Sequence, residues 1–229
     1  MNGDRAQILA RVTEALRVPA PLHHEKPSKP AAHTVTAPFR EWLPQVGATA
    51  DERVALFARQ SEVLRTEFRE CADATAAAAH IAALAAENAW KTIALHAGPL
   101  ADAVAAALPP SLGLLRVDAG YEKNALEACD AGLTECESLI AQTGSVCVTS
   151  RSSGGRALSV LPPHHIVIAS RSQLVADLSA AYEHLAEKYG ANYPSFISFI
   201  SGPSRTGDIE RILVLGAHGP KKLTVLLLP

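Results

Sequence analysis

The residues best suited to chemistry crowd into one stretch, residues 200–222, ISGPSRTGDIERILVLGAHGPKK. Ser204, Arg205, Thr206, Asp208, Glu210 and His218 stand there among four glycines and two prolines, around the apolar run 212–215. Two further loops share this small, polar character: QTGS at 142–145 and RSSGGR at 151–156, on either side of the apolar run 146–148. Glycine lets the backbone turn with positive φ and brings N–H groups close to a ligand. Successive N–H groups in such turns form a concavity for an anion, and an arginine adds a bidentate partner for carboxylate or phosphate. The chemistry these loops suit is the holding of a small anion. Thr143, Gly144, Ser145, Arg156, Gly202, Ser204, Arg205 and Thr206 are expected to converge on one concave site, with His218, Asp208 and Glu210 as candidate acid, base or nucleophile. Residues 206–210 suit the start of a helical turn capped by Thr206 or Ser204. A plainer reading stays open: Gly-Pro pairs form turns on their own, and Asp208 and Glu210 can face water or pair with Arg211.

Several familiar chemistries are absent as motifs. There is no dinucleotide fingerprint, no phosphate-binding loop with its lysine, no Gly-x-Ser-x-Gly and no His-Glu-x-x-His. Cys71, Cys129, Cys136 and Cys147 form no C-x-x-C pair and match no zinc or cluster spacing, so neither metal nor cofactor is expected. Cys71 and Cys147 lie in apolar segments and read as small core residues. His164 and His165 follow Pro162 and Pro163 and read as turn-positioning residues.

The elements that must position these loops follow from periodicity. Residues 4–17 form an amphipathic helix with Ile8, Leu9, Val12 and Leu16 on one face, closed by Pro19. A proline-rich stretch follows, and then a helix from Asp51 to about Phe68 striped by Val54, Phe57, Leu64 and Phe68. Residues 1–48 therefore read as an arm, and 49–229 as the main domain. From about Glu70 helices and strands alternate. An alanine-rich helix spans 74–88, strands come from KTIALH and LGLLRVD, and a short helix lies between them. SVCVTS, HIVIAS, FISFI, ILVLG and LTVLLL supply further strands. Ser170 and Gln173 have capping-box spacing and predict a helix carrying Leu174, Leu178, Ala181, Leu185 and Tyr189. Strands spaced by short helices argue an α/β fold with a mostly parallel sheet flanked by helices on both faces. Where the strands crowd together in the C-terminal half, antiparallel additions are expected. Open sheets of this kind bind ligands at the carboxyl ends of their strands.

Composition narrows the function classes. The 229 residues are 48% hydrophobic and 19% charged, with a formal charge of −2 and no basic run, which gives no footprint for nucleic acid or acidic membranes. The longest low-polarity run, 74–86, contains His80 and is shorter than the roughly 20 apolar residues of a membrane helix. No targeting segment is visible at the start, and a cytoplasmic protein is expected.

Three ordered blocks, GLTECESLIAQTGSVCV, RALSVLPPHHIVI and FISGPSRTGDIERILVLGAHGPKKLTVLLL, resemble the LUD-domain family of the lactate-utilisation protein C type. The match is close from about Gly132 onward and loose before it. Gln142 stands where the family more usually has an acid, and Gly207 where alanine is more usual. The resemblance implies the fold shared by phosphosugar isomerases, CoA transferases and formyltetrahydrofolate cyclo-ligase. It also implies a part in oxidising L-lactate to pyruvate beside iron–sulfur partner proteins. Two functions compete: an accessory subunit without a cluster, or a stand-alone isomerase, transferase or cyclo-ligase acting on a phosphorylated or acyl-activated small molecule. A transferase needs a carboxylate nucleophile, for which Glu135, Glu137, Asp208 and Glu210 are the nearby candidates. The missing phosphate loop favours the accessory subunit.

Overall fold

The computed structural model describes residues 2–17, 43–118, 120–206, 214–215 and 219–229. The chain divides into two units, Met1–Leu43 and Pro44–Pro229. In the first, helix α1 spans Asn2–Arg17, and Ile8, Leu9 and Val12 are exposed on it. Among the described residues no helix is long and apolar enough to cross a membrane.

The second unit is built on a six-stranded, wholly parallel sheet. Its strands are β1 (Glu67–Glu70), β2 (Thr92–Leu95), β3 (Gly113–Arg116), β4 (Ala131–Thr134), β7 (His164–Ser170) and β12 (Lys222–Leu228), in the order β1-β12-β7-β4-β2-β3. A second, four-stranded sheet joins β5 (Ser138–Ile140), β6 (Ser145–Thr149), β8 (Leu174–Val175) and β9 (Ile197–Ile200) in the order β8-β5-β6-β9. There β6 runs antiparallel to both β5 and β9, the antiparallel addition expected of the C-terminal half.

The apolar runs of the central strands divide by parity. Ile166 and Ile168 of β7 and Leu226 and Leu228 of β12 pack against α3 (Ala74–Glu87) and α4 (Pro99–Ala106). The alanines of α3 let the helix lie close to the sheet, through Ala77, Ala78, Ile81 and Ala85. Val167 and Ala169 of β7 and Leu223, Val225 and Leu227 of β12 face the other way. They meet Val54, Leu56 and Phe57 of α2 (Ala50–Leu64) together with Leu139, Val146 and Val148 of the second sheet. Burial on both faces is why these strands read as continuous apolar runs. Helix α6 (Leu178–Tyr189) covers the outer face of the second sheet with Ala181, Leu185 and Tyr189, while α5 (Lys123–Glu127) contributes the buried Leu126.

Three expectations need correcting. Helix α2 stops at Leu64, because Arg65 turns left-handed (φ 62) and its N–H returns to Glu62 and Ser61. Phe68 therefore lies on β1, paired with Val225, with its ring 5.2 Å from that of Phe57 on the helix. The capping box of Ser170 and Gln173 forms, but it opens a single 3-10 turn, Arg171–Gln173. Leu174 then extends to pair with Leu139, and α6 starts afresh on Asp177, whose carboxylate accepts from Ala180 N. His164 and His165 do not position a turn. They open β7 and are buried, each bound through Nε2 to a threonine, Thr224 and Thr134 respectively.

Gly132 shows how tightly the layers close. A Cβ there would sit 2.5 Å from the backbone oxygen of Leu158 and 3.1 Å from Pro162 Cγ. Neither the strand nor that carbonyl can step aside cheaply. Gly132→Ala is expected to destabilise the domain by about 1–3 kcal/mol. Urea unfolding should show a lowered midpoint at unchanged slope.

Candidate functional site

At the carboxyl ends of β2 and β4 the chain turns outward through residues 96–98 and 135–137, and a cavity of about 400 Å³ opens between them. His96, Gly98, Glu135, Glu137, Arg151 and Lys188 are among its walls. This is the position that strand-end geometry assigns to a ligand in an open α/β sheet.

His96 is fixed in one tautomer. The Glu135 N–H donates to Nε2 at 3.1 Å, so the proton sits on Nδ1 and is donated to Ala97 O at 2.8 Å. With both nitrogens engaged and 3% of its surface exposed, His96 shapes the crevice and is not free to move protons. Glu135 Oε1 accepts from the N–H groups of Leu100 and Ala101, at 2.8 and 3.0 Å. It closes the first turn of α4, whose N-cap Gly98 has no side chain to do so.

Glu137 is the centre of the site. Its carboxylate is fully buried, and Oε1 accepts from Tyr189 OH at 2.5 Å and Thr149 Oγ1 at 2.8 Å. Its Oε2 accepts from Lys188 Nζ at 2.6 Å. Burial pushes the carboxyl pKa upward, but the donors Lys188, Tyr189 and Thr149 outweigh it and hold it below the usual value. Lys188 is raised: burial alone would lower it, and the bond to Glu137 overcomes that. Burial and the bond to Glu137 raise the Tyr189 phenol. The set is therefore carboxylate, ammonium and phenol near neutral pH. Thr149 Oγ1 also accepts from the backbone N–H groups of Arg151 and Ser152, which ties the loop after β6 to the same carboxylate. That loop carries Arg151 to 5.1 Å from the centre of the Tyr189 ring, with Lys188 Nζ 5.5 Å from it. With all its partners in place Glu137 is poorly suited to be a nucleophile; it organises Lys188, Tyr189 and Arg151.

The cysteines add no nucleophile here. Burial pushes the Cys136 thiol well up and Cys147 up to about 12. Among the described residues no group of three or more His, Cys, Asp or Glu side chains could hold a metal ion.

Of the glycine-rich loops, only the start of 151–156 reaches this crevice, through Arg151 and Ser152. Thr143 and Gly144 lie in the turn between β5 and β6 and Ser145 opens β6, where Thr143 Oγ1 meets Ser145 Oγ at 2.8 Å and Ser145 Oγ meets Ser201 Oγ at 2.7 Å. Gly144 (φ 65) lies against Gln60 and Leu64, and Gly202 (φ 80) against Leu64 O. Arg205 donates to that same oxygen at 3.1 Å. These residues thus gather round the C-terminus of α2, where a guanidinium answers an open helix carbonyl. Ser204 N–H donates to Pro220 O, and Lys221 N–H to Pro163 O, so this gathering sits where β7 and β12 begin, at the amino end of the parallel sheet. Thr206 does not begin a helical turn: its backbone is in β10 (Arg205–Thr206), paired antiparallel with β11 (Val214–Leu215).

Arg156 is not part of that gathering. Because β6 and β9 run antiparallel, the loop after β6 lies beside the start of β9, and Arg156 donates to Ser195 O at 2.7 Å. Gly202 and Ser204 line a cavity of about 150 Å³ with His165, whereas Arg156 lines another with Tyr121 and Lys123. His218, Asp208 and Glu210 lie outside the described residues. The sequence did display Glu135, Glu137 and the loop bearing Arg151. In the sequence Tyr189 reads only as part of the apolar stripe of its helix, and Lys188, Thr149 and His96 belong to no motif.

A family model, the LUD domain, matches residues 54–228. Among curated proteins, a lactate utilization protein C from Shouchella clausii is 42% identical over 97 residues, which is 42% of each chain. Its namesake from Geobacillus thermodenitrificans is 40% identical over 114 residues, 49% of this chain and 45% of that one. The one from Bacillus subtilis is 36% identical over 103 residues, 44% of this chain and 43% of that one. The match thus spans less than half the length of each of these relatives. Among solved structures, a DUF162 family protein from Deinococcus radiodurans superposes with a TM-score of 0.62 at 24% identity, covering 80% of this chain and 100% of that one.

Proposed function

This chain belongs to the LUD-domain family, and from that premise we propose that it acts in lactate utilisation, in the cytoplasm, as a factor without a cluster of its own. It works beside iron–sulfur partner proteins that carry electrons away as L-lactate becomes pyruvate. The relatives named lactate utilization protein C support the process. One observation carries the site. In the strand-end crevice the acids have their donors while the cations keep unused ones. Glu135 is held by α4, and Glu137 by Lys188, Tyr189 and Thr149. Among the described residues the Arg151 guanidinium makes one hydrogen bond, a long one of 3.4 Å to Asn192 O. A small carboxylate entering the crevice therefore meets guanidinium and ammonium donors. Electron transfer itself is assigned to the partners, since the sequence offers neither cluster spacing nor a dinucleotide fingerprint.

A deletion strain should fail to grow on lactate and recover with the wild-type gene. A tagged copy from lactate-grown cells should bring down iron–sulfur proteins. Growth of the deletion strain at the normal rate would remove the role. Lactate-dependent dye reduction by the isolated chain would remove the accessory character.

A further inference from the structure

A second cluster of titratable groups lies at the amino end of the parallel sheet, and its hydrogen bonds have only one direction. The Arg69 guanidinium can only donate, and it meets His80 Nδ1 at 3.1 Å. His80 Nδ1 is therefore an acceptor, and the Nε2 proton is donated to Glu67 Oε1 at 2.7 Å. Glu67 Oε2 accepts from Thr224 Oγ1 at 2.9 Å. With its one hydroxyl proton used, Thr224 must accept from His164 Nε2, 2.8 Å away. The chain of bonds places the His164 proton on Nε2 and leaves Nδ1 a bare lone pair, with no hydrogen-bond partner among the described residues.

His164 is 4% exposed and stands edge-on to Trp90, ring centres 5.0 Å apart. Burial and the nearby Lys222 lower its pKa to about 4, so it is a neutral acceptor at neutral pH. It lines a cavity of about 390 Å³ together with Arg65, Lys221 and Lys222. The acids of that cavity are Glu67, already bound to Thr224 and His80, and Glu87. The balance of charge is therefore cationic, around one fixed acceptor.

We propose that this pocket is a binding site for a small hydroxylated carboxylate, whose hydroxyl donates to His164 Nδ1 and whose anionic head meets Lys221 and Lys222. The site is separate from the strand-end crevice and does not depend on the reading given to it. An anion without a donor would turn a lone pair toward a lone pair, so the site discriminates by the hydroxyl. Sites built to bond a hydroxyl reject analogues that lack one far more strongly than apolar pockets reject a missing methylene.

Glycolate and acetate differ by that hydroxyl alone and are the probes. With histidine labelled in the ring nitrogens, glycolate should move the unprotonated-nitrogen resonance of His164, and acetate should bind at least about ten-fold more weakly. Replacing the surface pair, Lys221→Gln with Lys222→Gln, should weaken glycolate by about ten-fold or more without altering thermal unfolding. Thr224→Val, close in shape, releases the imidazole from its relay and should shrink the glycolate-to-acetate ratio. Equal binding of the two probes overturns recognition of the hydroxyl. A folded protein whose His164 signal answers neither probe overturns the site. Glycolate affinity unchanged in the double lysine variant overturns the placing of the carboxylate. None of these outcomes bears on growth on lactate, which tests the strand-end crevice.

Discussion

Replacing Glu137 by alanine should destabilise the domain by about 2–4 kcal/mol. The Glu137 carboxylate is fully buried, while its partner Lys188 is 50% exposed and can return to water when the pair is broken. The ammonium therefore adds less than a wholly buried partner would. The larger loss comes from Tyr189 OH and Thr149 Oγ1, whose common acceptor disappears inside the protein. Glu137→Gln separates shape from charge, since its carbonyl can serve Tyr189 and Thr149 while its amide faces the Lys188 ammonium. The folded protein holds the Glu137 pKa below its ordinary value. Its contribution is accordingly complete above the ordinary carboxylate range and disappears as the pH falls through the lowered folded value. Urea unfolding from neutral to acid pH should show that loss in the wild type and a flatter acid limb in Glu137→Gln. Superimposable acid limbs would mean that the folded protein does not hold the Glu137 pKa below its ordinary value.

The second large effect is functional. Arg151→Glu should abolish lactate-dependent growth of a complemented deletion strain, while stability stays within about 0.5 kcal/mol of wild type. The guanidinium lies on the surface over the Tyr189 ring and holds up no core. Reversal of its charge turns the least occupied donor of the crevice into an acid beside Glu135 and Glu137. Arg151→Lys should grow at an intermediate rate, since it keeps the charge and loses the two-pronged geometry. Wild-type growth of the Arg151→Glu strain would show that the crevice does not receive the substrate.

How much of this was legible depends on how far away each residue finds its partner. Thr92–Leu95 and the helix beginning at Ala74 stand where periodicity places them, because their character is set by neighbours along the chain. Phe68 and Leu174 fit helical stripes locally, yet both are strand residues, paired with Val225 and Leu139. A local pattern carries no trace of such distant partners. The same limit governed the site. Sequence displays the glycine-rich loops but not the direction in which β6 meets β9. That direction brings Gly144 and Gly202 together at Leu64 and sends Arg156 to Ser195. Glu137 was visible as an acid beside a strand, and its burial against Lys188 and Tyr189 was not. His164 and His165 looked like turn residues after two prolines because nothing local reveals that threonines on two neighbouring strands await them.

The position of β12 has a consequence for how the domain comes into being on the ribosome. The strand lies between β1 and β7, and among the described residues β1 has no other strand beside it in the sheet. Glu67 of β1 waits for Thr224, 157 residues later in synthesis (224 − 67). At ordinary elongation rates that is roughly 8–30 s during which the nascent chain carries β1 with an unpaired edge. Once made, β7 too lacks the partner on its β1 side until β12 follows. Closure of the sheet is thus late, since it waits for translation of residues 222–228 and depends on contacts distant in sequence. Until then the apolar face of α2 has only part of its packing surface, and a nascent-chain chaperone has a defined window in which to shield Phe57 and Phe68.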